Sequence, residues 1–282
     1  MSLFEKVFKS QKIGMALPAD WQTVWDSPDR LYNRIISALQ KPTPDVLPAI
    51  DRLKQLSLDL QRDTVLRGIY YRTMGQLPEA KSVFRQFIHN HGPDSLILIN
   101  LAKVYVEEKD EAMASEVLWQ ALRQDPNHPN ALGLWVALNS QDDQGPAYEA
   151  ALSRVAALPD AWMAHLYLLI LYTQTGQVEA KAHMVSWLTG YLGHHSDALL
   201  AAVAHLHSEG RWELIVAVAE PVYALNTHDP QVGLALTEAY LQNGQIEMAQ
   251  VLGESLLRLL QTSQNTDVSA LARKLRQLLK KV

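Results

Sequence analysis

Apolar residues recur along the chain at intervals of three and four, the spacing of helices with a buried face, and short segments rich in glycine, proline and polar residues interrupt them. The clearest stretch runs Leu98, Leu101, Ala102 and Tyr105, then Ala114, Leu118 and Ala121, and closes at Asp125-Pro126. It predicts two helices joined by a turn. The phrase Met74-Gly-Gln-Leu-Pro-Glu-Ala80 returns in degraded form as Thr175-Gly-Gln-Val-Glu-Ala180, Glu209-Gly-Arg-Trp-Glu-Leu214 and Asn243-Gly-Gln-Ile-Glu-Met-Ala249. Its glycines, Gly75, Gly176, Gly210 and Gly244, are separated by 101, 34 and 34 residues, and 101 is three periods with one residue missing. A fixed period of this length marks one supersecondary unit stacked repeatedly. The units begin near Gln61, Ser95, Pro129, Trp162, Ser196 and Pro230.

Helix packing explains the residue types. The mid-repeat glycine supplies the positive φ that ends a first helix, and Pro93, Pro126 and Pro230 stop the second from running on. Small residues, Gly68 against Ala80 and Ala102 against Ala114, let the two helices approach closely, while Tyr71, Tyr105, Tyr172 and Tyr240 fill the wedge toward the next unit. No unit can bury its faces alone, so a stack must share one core. The third unit departs most from the pattern, with Asn139 where Tyr is usual, Tyr148 where a small residue is usual, and a turn at Asp142-Asp143-Gln144-Gly145-Pro146. Residues 28–40 and 45–60 read as two further amphipathic helices. Residues 267–282 read as another, with Leu271, Leu275, Leu278, Leu279 and Val282 in one stripe.

The 34-residue period, with Gly68, Tyr71, Gly75, Ala80, Phe84 and Pro93 in the first unit and Leu236, Tyr240, Gly244 and Ala249 in the sixth, resembles the tetratricopeptide repeat. The resemblance covers roughly residues 61–260. It implies an all-α fold, a right-handed α-solenoid of about six helical hairpins over 61–263, with an N-terminal helical segment (1–60) and a C-terminal capping helix (264–282). It also implies an inner face built from positions 2, 5, 6, 9, 12 and 13 of each first helix. Those positions hold Arg62, Val65, Ile69 and Arg72 in the first unit, and Ile99, Asn100 and Lys103 in the second. They hold Leu166, Tyr167 and Ile170 in the fourth and His207 in the fifth. The candidate ligand-binding set is therefore Ile69, Arg72, Ile99, Asn100, Lys103, Leu166, Tyr167, Ile170 and His207. It makes a largely apolar groove in which Arg62, Arg72 and Lys103 would orient an acidic residue or a C-terminal carboxylate. The family's clamp for chaperone tails is not matched, since only Asn100 is in place and Val65, Ile69, Asn130 and Leu134 stand where its other four residues would be.

Composition narrows the function. The chain has 282 residues and no cysteine, which excludes a disulfide scaffold, a thiolate nucleophile and Cys-ligated metal. Hydrophobic residues make up 48% and charged residues 20%, enough apolar material for a core. The densest apolar run, Ala161 to Tyr172, is short of a membrane span and carries His165. The formal net charge of -5 is uneven: residues 61–265 carry twelve Lys/Arg against twenty-two acids, and residues 266–282 carry five against Asp267 alone. An acidic middle repels phosphate backbones, so no nucleic acid is expected as a partner. The tail cations Arg273, Lys274, Arg276, Lys280 and Lys281 read as a solvated outer face, with anionic lipid or nucleic acid as the competing reading. His194-His195 and His205-Leu-His207 lack the spacing that would put two ligands on one helical face, so no metal and no cofactor is expected. Trp119, Trp135, Trp162 and Trp187 fall in packing registers.

No P-loop, dinucleotide turn, HExxH or GxSxG occurs. The expectation is a non-enzymatic adaptor or assembly chaperone of bacterial type that binds a protein or peptide client. Met1 to Lys12 lacks the form of a secretory signal, which points to the cytoplasm, or to the periplasm if a leader has been removed. Two alternatives compete. One is a peptide-responsive regulator. The other is a self-assembling homo-oligomer whose groove is filled by Leu3, Phe4, Val7 and Phe8 of a neighbouring copy, a stripe that could also pack on the first helices or touch a membrane.

Overall fold

The computed structural model describes residues 19–40, 46–56, 59–140, 144–261 and 266–280. A 3-10 turn at Ala19–Thr23 precedes fifteen α-helices: α1 (Pro28–Leu39), α2 (Leu47–Leu56), α3 (Leu60–Thr73), α4 (Leu77–His91), α5 (Ser95–Glu107), α6 (Glu111–Gln124), α7 (Pro129–Asn139), α8 (Pro146–Ala156), α9 (Trp162–Gln174), α10 (Val178–Leu192), α11 (Ser196–Ser208), α12 (Trp212–Ala219), α13 (Pro230–Gln242), α14 (Ile246–Gln261) and α15 (Thr266–Leu279). No strand occurs among the described residues. No described helix is long and apolar enough to cross a membrane. The apolar stripe at Leu3 to Phe8, the turn at Asp142-Asp143 and Val282 lie outside the described residues.

Five of the six predicted unit starts coincide with the first residue of a helix, and the sixth is off by one, at Leu60. The start signals explain the agreement. Asp59 and Asp94 accept the backbone N–H of Arg62 and Ile97, and Asp229 accepts that of Gln231, satisfying donors that the first turn leaves open. Proline stands first in α7 and α13, where its missing N–H costs nothing.

The turn is equally uniform in five of the hairpins. Gly75, Gly176, Gly210 and Gly244 have φ of 72, 70, 67 and 74°. The N–H of the following residue then reaches back to the first helix: Gln76 to the carbonyl of Tyr71 at 2.8 Å, Gln177 to Tyr172 at 2.9 Å, Arg211 to Leu206 at 2.9 Å, and Gln245 to Tyr240 at 2.8 Å. The second hairpin makes the same bond from Asp110 to Tyr105 at 2.9 Å. Its left-handed residue is Lys109, with φ 62°. The 34-residue alignment therefore holds where the glycine is missing, at a conformational cost to lysine.

The chain forms two compact units, residues 1–138 and 139–282. The boundary falls in the third repeat, the one whose sequence departs most from the pattern. In the first unit α1, α2 and α3 share a core of Trp21, Trp25, Leu31, Ile35, Ile50 and Leu66. Helix α4 packs on α3 and α5, and α5 on α6. The close approach of α3 and α4 differs from expectation. The ring of Phe84, rather than Ala80, fills the space over Gly68, where a Cβ would lie 2.0 Å from the Phe84 Cζ. Trp119 of α6 meets Trp135 of α7 with ring centroids 5.1 Å apart.

In the second unit α9 packs on α8 and α10, α11 on α12 and α13, and α13 on α14. Helix α15 lies on both α13 and α14, and its Ala272 and Leu275 complete a core with Leu234, Leu256 and Leu260. The wedge tyrosines are buried and end on charged partners. Tyr172 donates to Glu149 at 2.9 Å, and burial together with that carboxylate pushes its phenol up to about 12. Tyr240, bonded to Glu220, is raised further, again mainly by burial. Tyr223 is the exception: its hydroxyl is buried over Gly233 without a hydrogen-bond partner.

Two substitutions test this account. Lys109→Gly should stabilise the protein by about 1 kcal/mol, because glycine reaches the left-handed region without the Cβ penalty; a urea midpoint that falls would show that the turn does not need that conformation. Gly68→Ala should cost about 1 to 3 kcal/mol through overpacking against the Phe84 ring, and an unchanged melting temperature would contradict the close approach.

Candidate functional site

The predicted ligand residues divide between the two units. Ile69, Arg72, Ile99, Asn100 and Lys103 belong to the first, and Leu166, Tyr167, Ile170 and His207 to the second.

In the first unit α3 and α5 lie side by side. Ile99 is only 1% exposed and Asn100 5%. The Asn100 amide donates to the Leu96 carbonyl at 2.8 Å, a bond within its own helix. Ile69 is half-buried against the N-terminal core. Arg72 was expected to hold a ligand carboxylate, but it already pairs with Glu107 of α5 at 2.5 Å. Lys103 is different. It is half-buried and makes no hydrogen bond or ion pair among the described residues. Its pKa is lowered, first by burial and then by the positive charge of Arg72. This is a cation held beside a cation with no anion of its own, the electrostatic condition that favours an incoming carboxylate.

In the second unit the apolar patch expected from Leu166 and Ile170 is closed, since these side chains are 0% and 7% exposed. Like Ile99, they sit where neighbouring helices cover them, so their contribution is packing rather than contact surface. Tyr167 stays half-buried and meets His205 edge-on, with centroids 5.1 Å apart. Its phenol is raised by burial and then by the charge of Glu209. His207 Nε2 lies 3.0 Å from Glu238 Oε2, and with its proton on that nitrogen it donates to the carboxylate. The Lys274 ammonium stands 3.7 Å from the same oxygen. His207 and Lys274 line a cavity of about 300 Å³ with apolar walls from Leu200, Val203, Leu234 and Leu271. Its residues come from α11, α13 and α15. Such an opening accepts an apolar side chain and offers polar groups to orient the backbone that carries it.

Three residues outside the candidate set meet these groups: Glu107 pairs with Arg72, and Glu238 lies beside both His207 and Lys274. Arg72 and His207 both occupy position 12 of a first helix, and each meets a carboxylate from the next first helix, 35 and 31 residues further on. That near-repeat separation was a legible signal. Lys274 had been assigned to a solvated outer face, whereas it borders the cavity. Among the described residues no group of three or more His, Asp or Glu could hold a metal ion.

No protein-family model matches the chain, and no curated protein matches it in sequence. Among solved structures it is similar to a tetratricopeptide repeat protein from Parabacteroides merdae, with 17% identity and a TM-score of 0.34 over 89% of this chain and 99% of that one. It is also similar to a chain of the Naa15/Naa10 complex bound to HypK-THB, with 15% identity and a TM-score of 0.39 over 88% of this chain, which spans 39% of that one. The tetratricopeptide-like character of the fold rests on its own geometry: paired helices in a 34-residue register, with the same left-handed turn after five of the first helices, α3, α5, α9, α11 and α13.

The position of Lys103 carries a pH signature. Because its folded pKa lies below that of the unfolded chain, the ammonium lowers stability at neutral pH, and the penalty fades as pH rises through the folded value and is gone above about 10.5, the unfolded value. Lys103→Met should therefore raise the melting temperature of the unliganded protein at pH 7, by an amount that shrinks toward pH 10.5. A variant that melts below the parent at pH 7 would mean that the ammonium has an anionic partner.

Proposed function

We propose that this protein is a non-enzymatic protein-binding module that holds a client segment on the faces of its first helices. The observation that carries the reading is Lys103, a half-buried cation without a counter-ion among the described residues. A folded protein retains such a group at a cost to stability, and a client carboxylate that pairs with it offsets that cost. The cavity lined by His207 and Lys274, both of which lie near the Glu238 carboxylate, supports the same reading, because it combines apolar walls with a polar rim. The client is a peptide or protein segment with apolar side chains and at least one carboxylate. Of the nine candidate residues, Ile69, Arg72, Lys103, Tyr167 and His207 retain surface for contact, and Arg72 is already paired with Glu107. Ile99 in the first unit, and Leu166 and Ile170 in the second, are buried and serve packing.

The test is quantitative affinity capture with the intact chain, followed by calorimetry on the captured client. Lys103→Glu and Tyr167→Ala should each weaken binding by about 1 to 3 kcal/mol if these are central contacts. Neither should change the helical circular dichroism. Unchanged affinity in both variants would remove the first-helix faces as the binding surface.

A further inference from the structure

Three surfaces lie outside the reading above. One is an apolar strip on α14, where Ile246, Met248 and Val251 are exposed. A second is the polar region around Lys280. The third, and the most developed, lies where α10 meets α11.

Trp187, Tyr191 and His195 follow one another at intervals of four, so they stand on one face of α10 and of the turn that continues it. Their rings are nearly parallel. Trp187 and Tyr191 are 5.3 Å apart at 10°, and Tyr191 and His195 are 4.0 Å apart at 7°. His165 of α9 stacks on the other side of Trp187 at 3.5 Å and 2°. Four rings thus form one column. His165 is buried, its Nδ1 lies 2.9 Å from the Ala161 carbonyl, and burial lowers its pKa. That end of the column is closed.

The other end opens on a cleft of about 530 Å³ lined by Trp162, Tyr191, His195 and Asp197, among others. No Lys or Arg lines it. Asp197 is exposed and makes no hydrogen bond or ion pair among the described residues. A second carboxylate is near: Asp160, in the left-handed conformation with φ 59°, adds its charge to the environment of the Tyr191 phenol, whose pKa is raised first by burial and then by that charge.

We infer that this cleft binds the guanidinium group of an arginine presented by a protein partner. The chemistry excludes the alternatives in turn. An anion would meet Asp197. An apolar side chain would desolvate Asp197 without compensation. An ammonium answers the charge but cannot extend a stack of flat rings. A guanidinium does both, since it is planar, weakly hydrated, stacks on aromatic faces and presents a fork to a carboxylate. It adds a fifth plane to the column while Asp197 accepts its N–H groups. This inference does not rest on the reading of the first-helix faces, from which its residues are distinct.

The test is an NMR titration of the full chain with the tripeptide acetyl-Gly-Arg-Gly-amide and its citrulline and lysine counterparts. The arginine peptide should shift the Tyr191 and His195 ring resonances saturably. Citrulline, which keeps the plane and loses the charge, should bind about tenfold more weakly or worse. Asp197→Asn, at an exposed position, should cost the arginine peptide a similar factor, and Tyr191→Leu should weaken it as well. Equal binding of arginine and citrulline peptides, or an unaffected Asp197→Asn variant, would overturn the site. A lysine peptide that binds as tightly as the arginine peptide would overturn the stacked-guanidinium assignment.

Discussion

Each helix of this protein has more apolar surface than its hairpin partner can cover. Helix α9 shows the constraint most plainly: nine of its thirteen residues are buried, among them Leu166, Leu168, Leu169 and Ile170 on successive sides. A helix apolar all round must be surrounded. Helices α8 and α10 supply two of the walls, and α11 touches a third side. Repetition is the solution, because a hairpin that leaves a face open can be completed by another of the same design. The uniform turn follows from this need. Unless each first helix ended at the same point and with the same backbone geometry, the next hairpin would not find its place, and Lys109 accepts a left-handed φ in order to keep it.

The architecture was legible because its signals are local. Capping aspartates, first-turn prolines and left-handed glycines act within a few residues, and they located the unit starts to within one position. What the groove would expose was not local. Ile99, Leu166 and Ile170 have the same composition and register whether they face a ligand or a neighbouring helix, and the outcome depends on the distance between helices that are a repeat apart. Arg72 and His207 posed the same ambiguity. Their partners Glu107 and Glu238 decide it, and these lie 35 and 31 residues away. The stacked column was half legible: the four-residue spacing of Trp187, Tyr191 and His195 was open to inspection, but the contact with His165 required α9 and α10 to be packed.

Electrostatics divides the polar surface into groups that are satisfied and groups that are not. Arg72, His207 and Lys274 meet carboxylates. These pairs are partly exposed and contribute little to stability, but they fix side chains in place. Lys103 in the first unit and Asp197 in the second remain without partners among the described residues, and their charges are opposite.

Helix α15 covers the last hairpin but follows it in the chain. Until α15 has been made, Leu234, Leu256 and Leu260 have no Leu275 to bury them. During synthesis, therefore, each earlier hairpin is covered by the one behind it, whereas α13 and α14 are covered by the single helix α15. The wait leaves a leucine-lined surface open on the nascent chain for the time taken to add roughly twenty residues, about one to four seconds at ordinary elongation rates, during which it is open to mispairing with another chain.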